Sequence, residues 1–395
     1  MKTMKTLYLD VSTGVAGDML SAALLELFDD REAMLARLNA IGIPGITYTT
    51  ESVKKHEITG THLHVKWNGV EEQAGCQQLH EGHHHHEHAH WNLFDIHSVV
   101  EGLNLPEEVK QDVKNVYAII AGAEAVVHGT TMEHIHFHEL GTMDAVADIS
   151  AACLMARELG AAHIVASPVC TGFGEIQCAH GLLPVPAPAT ALILKDLPSF
   201  AGEIEGELCT PTGAALVKYL AQSYSSAPGM TTEKIGYGMG QKDFPKLSAV
   251  RAVLGETEET IIELNCNVDD MSPEAVGFAI TELLRLGAPD AYYTQIGMKK
   301  NRPGVILTCL CREDQREQMV QAIFRHTTTI GIRETLCRRY VLKRREEVRE
   351  TPYGPVRLKI SEGYGAERMK AEYDDLARIA REENLTLDEA RELIK

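Results

Sequence analysis

The stretch LYLDVSTGVAGDMLSAALLELF, Leu7–Phe28, places a short apolar strand, a glycine-containing loop and an amphipathic helix in direct succession. Unpaired backbone N–H groups point out of the start of such a helix, so the loop is a possible cradle for an anion. Asp10 and Asp18 flank this loop. Neither the dinucleotide-binding nor the P-loop glycine pattern is present. The stretch therefore predicts a strand-to-helix unit of an α/β domain, in which Asp18 either lies near the helix N-cap or handles a ligand.

The overall composition is that of a globular protein. The chain has 395 residues, of which 44% are hydrophobic and 24% charged, and this length predicts two or three domains. The formal net charge of −18 argues against broad nucleic-acid binding, which requires a basic face, but it allows one nucleotide in a locally basic pocket.

Apolar runs are too short for a membrane span, and no secretory h-region is recognisable at the N-terminus. The nine cysteines include no CxxC pair, which predicts reduced thiols and a cytoplasmic location.

A second stretch, HIHFHELGTMDAVAD at residues 134–148, concentrates imidazoles and carboxylates. In an extended segment the three histidines share one face, and the two aspartates, four residues apart, share one face of the helix that follows. These groups suit borderline divalent metals such as nickel, zinc, cobalt or iron. The alternative is a set of hydrogen-bonded groups at a strand-to-helix turn, but so dense a cluster favours a functional site. The potential ligands are His134, His136, His138, Glu139, Asp144 and Asp148.

A polar insertion at residues 70–91 is rich in histidine and low in complexity. Such a segment cannot build a core, which predicts a mobile loop. Imidazoles at this density bind nickel, copper or zinc without a precise arrangement of ligands, so we interpret the segment as one for metal delivery or storage. The alternative is an inserted purification tag. Its histidines are His80, His83, His84, His85, His86, His88 and His90.

Two glycine-rich segments have open interpretations. TGFGEIQCAHGLLPVPAPAT, residues 171–190, is too rich in glycine and proline to be regular helix. It is predicted to hold Glu175, Cys178 and His180 in a rigid loop, either as metal or acid–base groups or as ordinary loop residues. GYGMG, residues 236–240, spaces glycines two apart. This spacing indicates either close approach of the backbone to a ligand or a turn.

The acidic, turn-rich segment at 255–260 predicts a boundary between an N-terminal α/β domain at 1–255 and a C-terminal domain at 258–395. From Thr260 to Leu342 the pattern predicts strand, helix, two strands, helix and strand, which is the ferredoxin-like β-α-β-β-α-β order. A hairpin and two helices are predicted to follow. The predicted fold class is therefore α/β for the first domain and α+β for the second.

Charged residues of the second domain fall in its predicted loops. Asp269 and Asp270 lie between a strand end and a helix start, and the strand-to-strand connection contains Lys299, Lys300, Asn301 and Arg302. Carboxylates for Mg²⁺ or Mn²⁺ and basic groups for phosphates are what a nucleoside triphosphate site requires. The alternative for the basic stretch is a solvated hairpin tip.

Motifs along nearly the whole chain resemble, in family order, those of the LarC nickel-inserting cyclometallases. They are VSTGVAGDML, HFHELGTMDAVADI, GLLPVPAPAT, ELCTPTGAA, GYGMGQKDF, VDDMSPE, MKKNRPG and KAEYDD. The resemblance implies a CTP-dependent nickel chelatase of the lyase class. Its substrate would be pyridinium-3,5-bisthiocarboxylate mononucleotide and its product the nickel-pincer nucleotide cofactor of lactate racemase. CTP would be cleaved with Mn²⁺ or Mg²⁺ to CMP and pyrophosphate, in a homo-oligomer that hands its product to lactate racemase-type enzymes.

The resemblance also assigns residues, although KAEYDD departs from the expected KPEYED. Loss of a ring proton on formation of a carbon–nickel bond requires a base, for which the central His/carboxylate cluster supplies the candidates. The residues implied for handling nickel and substrate are Asp10, Asp18, His136, His138, Glu139, Asp144 and Asp148. The residues expected to collect the metal are His83, His84, His85, His86 and His88. CTP binding falls to Asp270, Lys299, Lys300, Asn301, Arg302, Lys370 and Tyr373.

Two other functions compete with this one. A nickel storage or delivery protein without turnover would explain the histidine-rich insertion but not a separate domain with nucleotide-type loops. A metal-dependent nucleotide phosphohydrolase would use the His/Asp cluster as a hydrolytic centre.

Overall fold

The computed structural model of the chain describes residues 3–71, 91–135, 137, 143–178, 181–258 and 260–394. Contacts divide the chain into a first unit, Met4–Thr257, and a second unit that begins at Glu258 and includes Thr3. Within the described ranges, none of the helices has the length and apolar character needed to cross a bilayer.

The first unit is a mixed α/β domain. Its helices are α1 (Gly17–Leu25), α2 (Arg31–Asn39), α3 (Leu93–Gly102), α4 (Glu107–Val127), α5 (Met143–Glu158), α6 (Pro188–Ile193) and α7 (Pro211–Leu220). Its strands are β1 (Thr3–Asp10), β2 (Ile46–Lys55), β3 (Ile58–Trp67), β4 (Val70–Glu71), β5 (His163–Ala166), β6 (Val169–Cys170), β7 (Gly172–Phe173), β8 (Glu175–Cys178), β9 (Gly181–Pro184), β10 (Ser199–Phe200), β11 (Gly206–Glu207), β12 (Ser223–Tyr224), β13 (Met230–Met239) and β14 (Ala249–Glu258).

An eight-stranded sheet organises this unit, in the order β12-β5-β1-β14-β13-β3-β2, with β4 paired to β3. Strands β12, β5 and β1 run parallel, as do β13 and β3, whereas β13–β14 and β2–β3 are antiparallel. Helix α1 packs on β3 and β13, and α5 packs on α1. Nearly all of α5 is buried, which fits its sequence of small and aliphatic residues.

Gly236 and Gly238 of the GYGMG segment lie in β13 beneath α1. A Cβ atom at Gly236 would fall 2.3 Å from the carbonyl oxygen of Ala23, and one at Gly238 would fall 1.8 Å from that of Met19. Side chains at these positions would collide with the helix backbone. The two glycines therefore serve the close packing of a helix on a strand, rather than a turn.

The prediction that residues 171–190 form a rigid loop is wrong, because the stretch contains a pair of strands and the start of a helix. Strands β8 and β9 form an antiparallel pair in which Cys178 lies opposite Gly181, and α6 begins at Pro188. Pro188 occupies the first turn of that helix, where its missing N–H group costs nothing. Regular structure fits here because the prolines fall at element ends.

The second unit confirms the ferredoxin-like order. It contains β15 (Thr260–Val268), α8 (Pro273–Arg285), β16 (Asp290–Met298), β17 (Arg302–Cys311), α9 (Arg316–His326) and β18 (Arg333–Arg338). The sheet order is β16-β17-β15-β18 with antiparallel neighbours throughout. Ser272 caps α8 by accepting from the N–H of Ala275 at 3.2 Å. Cys309 and Cys311 pack inside the core of this sheet.

A second small sheet follows, and here the predicted hairpin is incomplete. Strands β19 (Lys343–Thr351), β20 (Gly354–Gly363) and β21 (Ala366–Ala371) form a three-stranded antiparallel sheet. Strand β21 was missed because AERMKA is almost fully exposed and has no alternating pattern. Helices α10 (Tyr373–Glu382) and α11 (Leu387–Leu393) close the chain, and Thr386 and Glu389 form the predicted capping box of α11.

Candidate functional site

The start of α1 is fixed by the loop that precedes it. The N–H of Val15 donates to the carbonyl of Leu208 at 2.8 Å, and the N–H of Thr210 donates to the carbonyl of Val15 at 3.1 Å. Ala16 is extended, and the helix begins at Gly17 without a side-chain cap. Asp18 therefore lies in the first turn, where a negative charge is favoured by the helix dipole.

Asp18 and Asp148 meet where α1 packs on α5. The carboxylate of Asp148 accepts a hydrogen bond from the backbone N–H of Asp18. Ser21 of α1 donates to the carbonyl of Asp148 at 3.3 Å, and Tyr48 of β2 donates through its hydroxyl to the carbonyl of Ala147 at 2.9 Å. Two helices and a strand thus hold this pair of carboxyls in place.

The pair is shielded from water, and this determines its acidity. Burial, together with the charges of Asp18 and Asp144, raises the pKa of Asp148 well above its ordinary value. Burial also raises the pKa of Asp18, against the opposing effects of His62 and of local backbone N–H groups. Oδ1 of Asp148 has no hydrogen-bond partner among the described residues. A carboxyl in this state can accept a proton nearer to neutral pH than a surface aspartate can.

Asp144 lies one turn before Asp148 on α5, as the four-residue spacing predicted. Burial raises the pKa of Tyr117 on α4 well above 10, and the charges of Asp144 and Asp148 add to this effect. The Tyr117 ring packs edge-to-face on Phe137, with centroids 6.0 Å apart. Tyr117 therefore remains protonated beside the two carboxyls at neutral pH.

A group of imidazoles and carboxylates lies close to Asp18, and we call it the His62 cluster: His62, His64 and Glu71. One potential ligand atom from each lies within 4.8 Å of the others. Nε2 of His62 is 3.3 Å from Oε1 of Glu71, and Nδ1 of His64 is 2.7 Å from Oε2 of Glu71. His62 is only 5% exposed, whereas His64 and Glu71 are partly exposed. His62 lies within electrostatic reach of Asp18, because β3, which contains His62, packs against α1.

This cluster was not among the predicted sites, although the turn between β3 and β4 indicates it in the sequence. Asn68 and Gly69 have positive φ angles and connect β3 to β4 as a two-residue hairpin. The register pairs Lys66 with Glu71, so Glu71 lies on the same sheet face as His64, one diagonal step away. An Asn-Gly turn after alternating histidines was sufficient to predict this arrangement.

Asp10 is held in an ion pair. Its Oδ2 lies 2.5 Å from Nη2 of Arg251, and its Oδ1 accepts from the hydroxyl of Ser12 at 2.6 Å. His134 lies in a turn, not in an extended segment, and shares a hydrogen bond with Thr131 at 2.8 Å. The other predicted histidine and glutamate positions lie outside the described residues: His136, His138, Glu139, His180 and the histidines at 80–90.

The predicted nucleotide loops of the second unit converge at one end of the four-stranded sheet. Val268 at the end of β15 pairs with Val305 in β17, which brings Asp269 and Asp270 next to the connection that contains Lys299–Arg302. Arg302 pairs with Asp269 at 3.3 Å. Lys299–Asn301 forms a 3-10 turn in which Lys300 has a φ of 63°. Because all four basic-loop residues are exposed, their polar groups remain accessible to a ligand.

Further groups line the same end of the sheet. Arg333 donates to Oδ1 of Asn267 at 2.7 Å, and Thr328 donates to the carboxylate of Asp270. Lys370 and Tyr373 lie elsewhere in the second unit, on β21 and at the start of α10. They belong to the part built around the core of Val356, Leu358 and Ile379. Tyr373 is 63% exposed, so it is available for contact with a ligand.

Comparison with known proteins identifies the family. A family model described as "Nickel insertion protein" matches residues 7–391. The chain belongs to the nickel insertion protein family. This match confirms the family resemblance that the sequence motifs predicted.

Two relatives of similar length support the assignment, and one solved domain structure is also similar to part of the chain. A protein of Acetivibrio thermocellus named pyridinium-3,5-bisthiocarboxylic acid mononucleotide nickel insertion protein is 36% identical, with 99% of this chain and 96% of that protein covered. A protein of the same name from Geobacillus kaustophilus is 38% identical, with 95% and 94% covered. A solved structure described as LarC2, the C-terminal domain of a cyclometallase involved in the synthesis of the NPN cofactor of lactate racemase, is 30% identical, with 35% of this chain and 96% of that chain covered and a TM-score of 0.32.

Proposed function

We propose that this member of the nickel insertion family inserts Ni²⁺ into pyridinium-3,5-bisthiocarboxylic acid mononucleotide and cleaves CTP to CMP and pyrophosphate in doing so. The observation that carries the proposal is the pair of shielded carboxyls, Asp18 and Asp148, where α1 packs on α5, within electrostatic reach of His62. Nickel insertion at carbon requires a proton acceptor close to nickel-type ligands, and this pair supplies one. The product is the nickel-pincer nucleotide cofactor of lactate racemase.

The reaction balances as a replacement of a ring proton by the metal. The two thiocarboxylate sulfurs coordinate Ni²⁺, one ring C–H bond breaks, its electron pair forms the carbon–nickel bond, and the proton leaves. We assign acceptance of that proton to the Asp18–Asp148 pair, because a raised pKa makes its carboxylate a stronger base than that of a surface aspartate. Asp144, Asp10 and the motif residues His136, His138 and Glu139 are proposed to handle nickel and substrate in the same unit. The histidines at 80–90 are proposed to collect the ion.

CTP is proposed to bind at the Asp270 end of the four-stranded sheet. Asp270 would hold Mn²⁺ or Mg²⁺ against the phosphates, because hard cations prefer oxygen ligands. Lys299, Lys300 and Arg302 supply the positive charge that a triphosphate requires, on a chain whose net charge is −18. Lys370 and Tyr373 are proposed to contribute from the second part of the unit. The active form is proposed to be a homo-oligomer in the reducing cytoplasm that hands its product to lactate racemase-type enzymes.

Nucleotide turnover by the full-length chain tests the proposal. The thiolated pyridinium mononucleotide, Ni²⁺, Mn²⁺ and CTP are combined, and CMP release is followed together with the absorbance of the product, with ATP in a parallel reaction. We expect CMP formation that is selective for CTP and coupled to a nickel-containing product. Nickel binding without nucleotide cleavage would support a storage protein, and CTP hydrolysis without a nickel product would support a phosphohydrolase.

A further inference from the structure

The His62 cluster lies outside all the family motifs identified above, and its side chains have the arrangement of a metal site. We propose that His62, His64 and Glu71 form a nickel-holding site with an open coordination position in the first unit. The ligand geometry alone argues for a divalent metal. The choice of nickel rests on the family, and the holding role rests on the proposed function.

The two imidazoles present one nitrogen each to the same point. His62 and His64 are two residues apart on β3, so their side chains project from the same face of the sheet. Their rings are 4.3 Å apart and inclined at 72°. Nε2 of His62 and Nδ1 of His64 both face the carboxylate of Glu71. A metal ion at about 2.0–2.2 Å from nitrogen and oxygen ligands requires such a convergence.

The opposite nitrogen of each ring is held by a separate acceptor. Nδ1 of His62 donates to the carbonyl of Met239 at 2.8 Å, and Nε2 of His64 lies 3.2 Å from Oε2 of Glu51. Gln241 donates to Oε1 of Glu71 at 2.9 Å. Metal-ligating histidines are oriented in this way by a backbone carbonyl or a carboxylate, which fixes the ring and leaves the other nitrogen for the metal.

The same contacts also describe a set of His–Glu ion pairs without metal, so the chemistry must decide between them. In the absence of an ion, a proton lies between each imidazole nitrogen and Glu71. A divalent cation replaces those protons and satisfies both nitrogens and the carboxylate at once. Two imidazoles and one carboxylate suit borderline metals such as nickel. Three protein ligands leave a coordination position for water or for a ligand that removes the ion.

The position of the cluster fits a holding role. Its neighbour Asp18 belongs to the proposed proton acceptor. On the other side, Glu71 lies at the start of the histidine-rich insertion at 70–91. The cluster therefore adjoins the proposed reaction site in space and the metal-collecting segment in sequence.

Equilibrium binding of Ni²⁺ to the full-length chain, without CTP or pyridinium substrate, tests the site. The parent for this experiment has the competing histidines of the insertion replaced: His80→Asn, His83→Asn, His84→Asn, His85→Asn, His86→Asn, His88→Asn and His90→Asn. In this parent, we expect His62→Gln and Glu71→Gln each to weaken one nickel-binding event at least tenfold. Glu51→Ala, which removes an orienting contact but no ligand, is expected to weaken it about tenfold.

His128→Gln is the matched control, because His128 also pairs with a glutamate, Glu124 at 3.4 Å, on helix α4. It is expected to leave nickel binding unchanged. Unchanged nickel affinity and stoichiometry in both His62→Gln and Glu71→Gln would overturn the proposal and leave a set of ion pairs. Because no turnover is measured, failure of this site is distinguishable from failure of the proposed function.

A second measurement does not depend on the folding of any variant. In the unsubstituted chain, Cu²⁺ with ascorbate oxidises residues that bind the metal, and mass spectrometry identifies them. We expect oxidation at His62 and His64 that added Ni²⁺ suppresses. Oxidation confined to other histidines would contradict the site.

Discussion

The backbone of Gly17 lies so close to Asp148 that a Cβ atom added to Gly17 would fall 2.5 Å from Oδ2 of the carboxylate. It would also lie 2.7 Å from Cβ of Asp148, so the collision involves the stem of the side chain and not a flexible end. Gly17→Ala must therefore displace α1 from α5 or push Asp148 away from the N–H of Asp18. We expect a loss of stability of about 1–3 kcal/mol and a loss of turnover of at least tenfold.

The control for this substitution is Gly122→Ala in the interior of α4, where the nearest atom to an added Cβ is Sδ of Met132 at 4.0 Å. Alanine is favoured over glycine in a helix, so this change is expected to raise stability by about 0.5–1 kcal/mol and to leave turnover unaltered. Thermal unfolding and the nickel-insertion assay provide the two readouts. Equal behaviour of the two variants would show that the contact with Asp148 does not matter.

Asp148→Asn is expected to stabilise the protein and to abolish turnover. Burial raises the pKa of Asp148 in the folded state, so the folded chain loses stability relative to the unfolded chain as the pH rises from about 4 through that raised pKa. Asparagine removes this loss while its side-chain oxygen can still accept from the N–H of Asp18. The difference in melting temperature between variant and wild type should therefore grow from pH 5 to pH 8. A difference that stays constant or shrinks would contradict the assigned pKa direction.

Asp112 on α4 is buried and serves structure. Nη2 of Arg157 lies 2.8 Å from its Oδ1, Nε of Arg157 also donates to it, and the hydroxyl of Tyr219 donates to it at 2.6 Å. Asp112→Asn is expected to cost about 1.5–3 kcal/mol, because hydrogen bonds to a charged group are lost. Glu107→Gln on the same helix breaks only the exposed pair with Lys110 and is expected to cost less than about 1 kcal/mol. Urea unfolding compares them, and turnover per folded molecule should be the same in both.

Lys300 provides the test of the CTP loop. Lys300→Gln keeps an unbranched polar side chain but removes the charge next to the proposed triphosphate. We expect the KM for CTP to rise about tenfold, corresponding to about 1.4 kcal/mol for one charge-assisted contact. Lys343→Gln changes an equally exposed lysine at the start of β19 and should leave that KM unchanged. An unaltered KM in Lys300→Gln would remove this loop from the nucleotide site.

The second unit was predictable because local signals agree with its fold. Ser272 and Pro273 form a helix start, and Gly287, with a φ of 96°, follows the end of the same helix. Each of the four strands has an apolar face, and these faces can be buried together only if the strands form a single sheet. Strand ends were less well predicted: β18 ends at Arg338, not at Leu342, because basic residues at a sheet edge give no pattern that marks where pairing stops.

The site was harder to predict, because its residues come together only through the tertiary fold. The four-residue spacing correctly placed Asp144 and Asp148 on one helix. By contrast, nothing local reports that Asp18 donates its backbone N–H to Asp148, since this contact depends on how α1 packs on α5. The His62 cluster was missed for a different reason. Asn68-Gly69 fixes its register, but Glu71 lies beyond the turn, outside the alternating pattern of β3 that contains the two histidines.

Because α1 packs directly on Gly236 and Gly238, the position of Asp18 does not depend on the size of a side chain at either position. A helix that rests on side chains shifts whenever those side chains change size. Helix α1 instead rests on main-chain atoms of β13, whose geometry is the same for any amino acid sequence. Changes in the size of the neighbouring β13 side chains therefore leave this contact unaltered, as long as those two positions remain glycine.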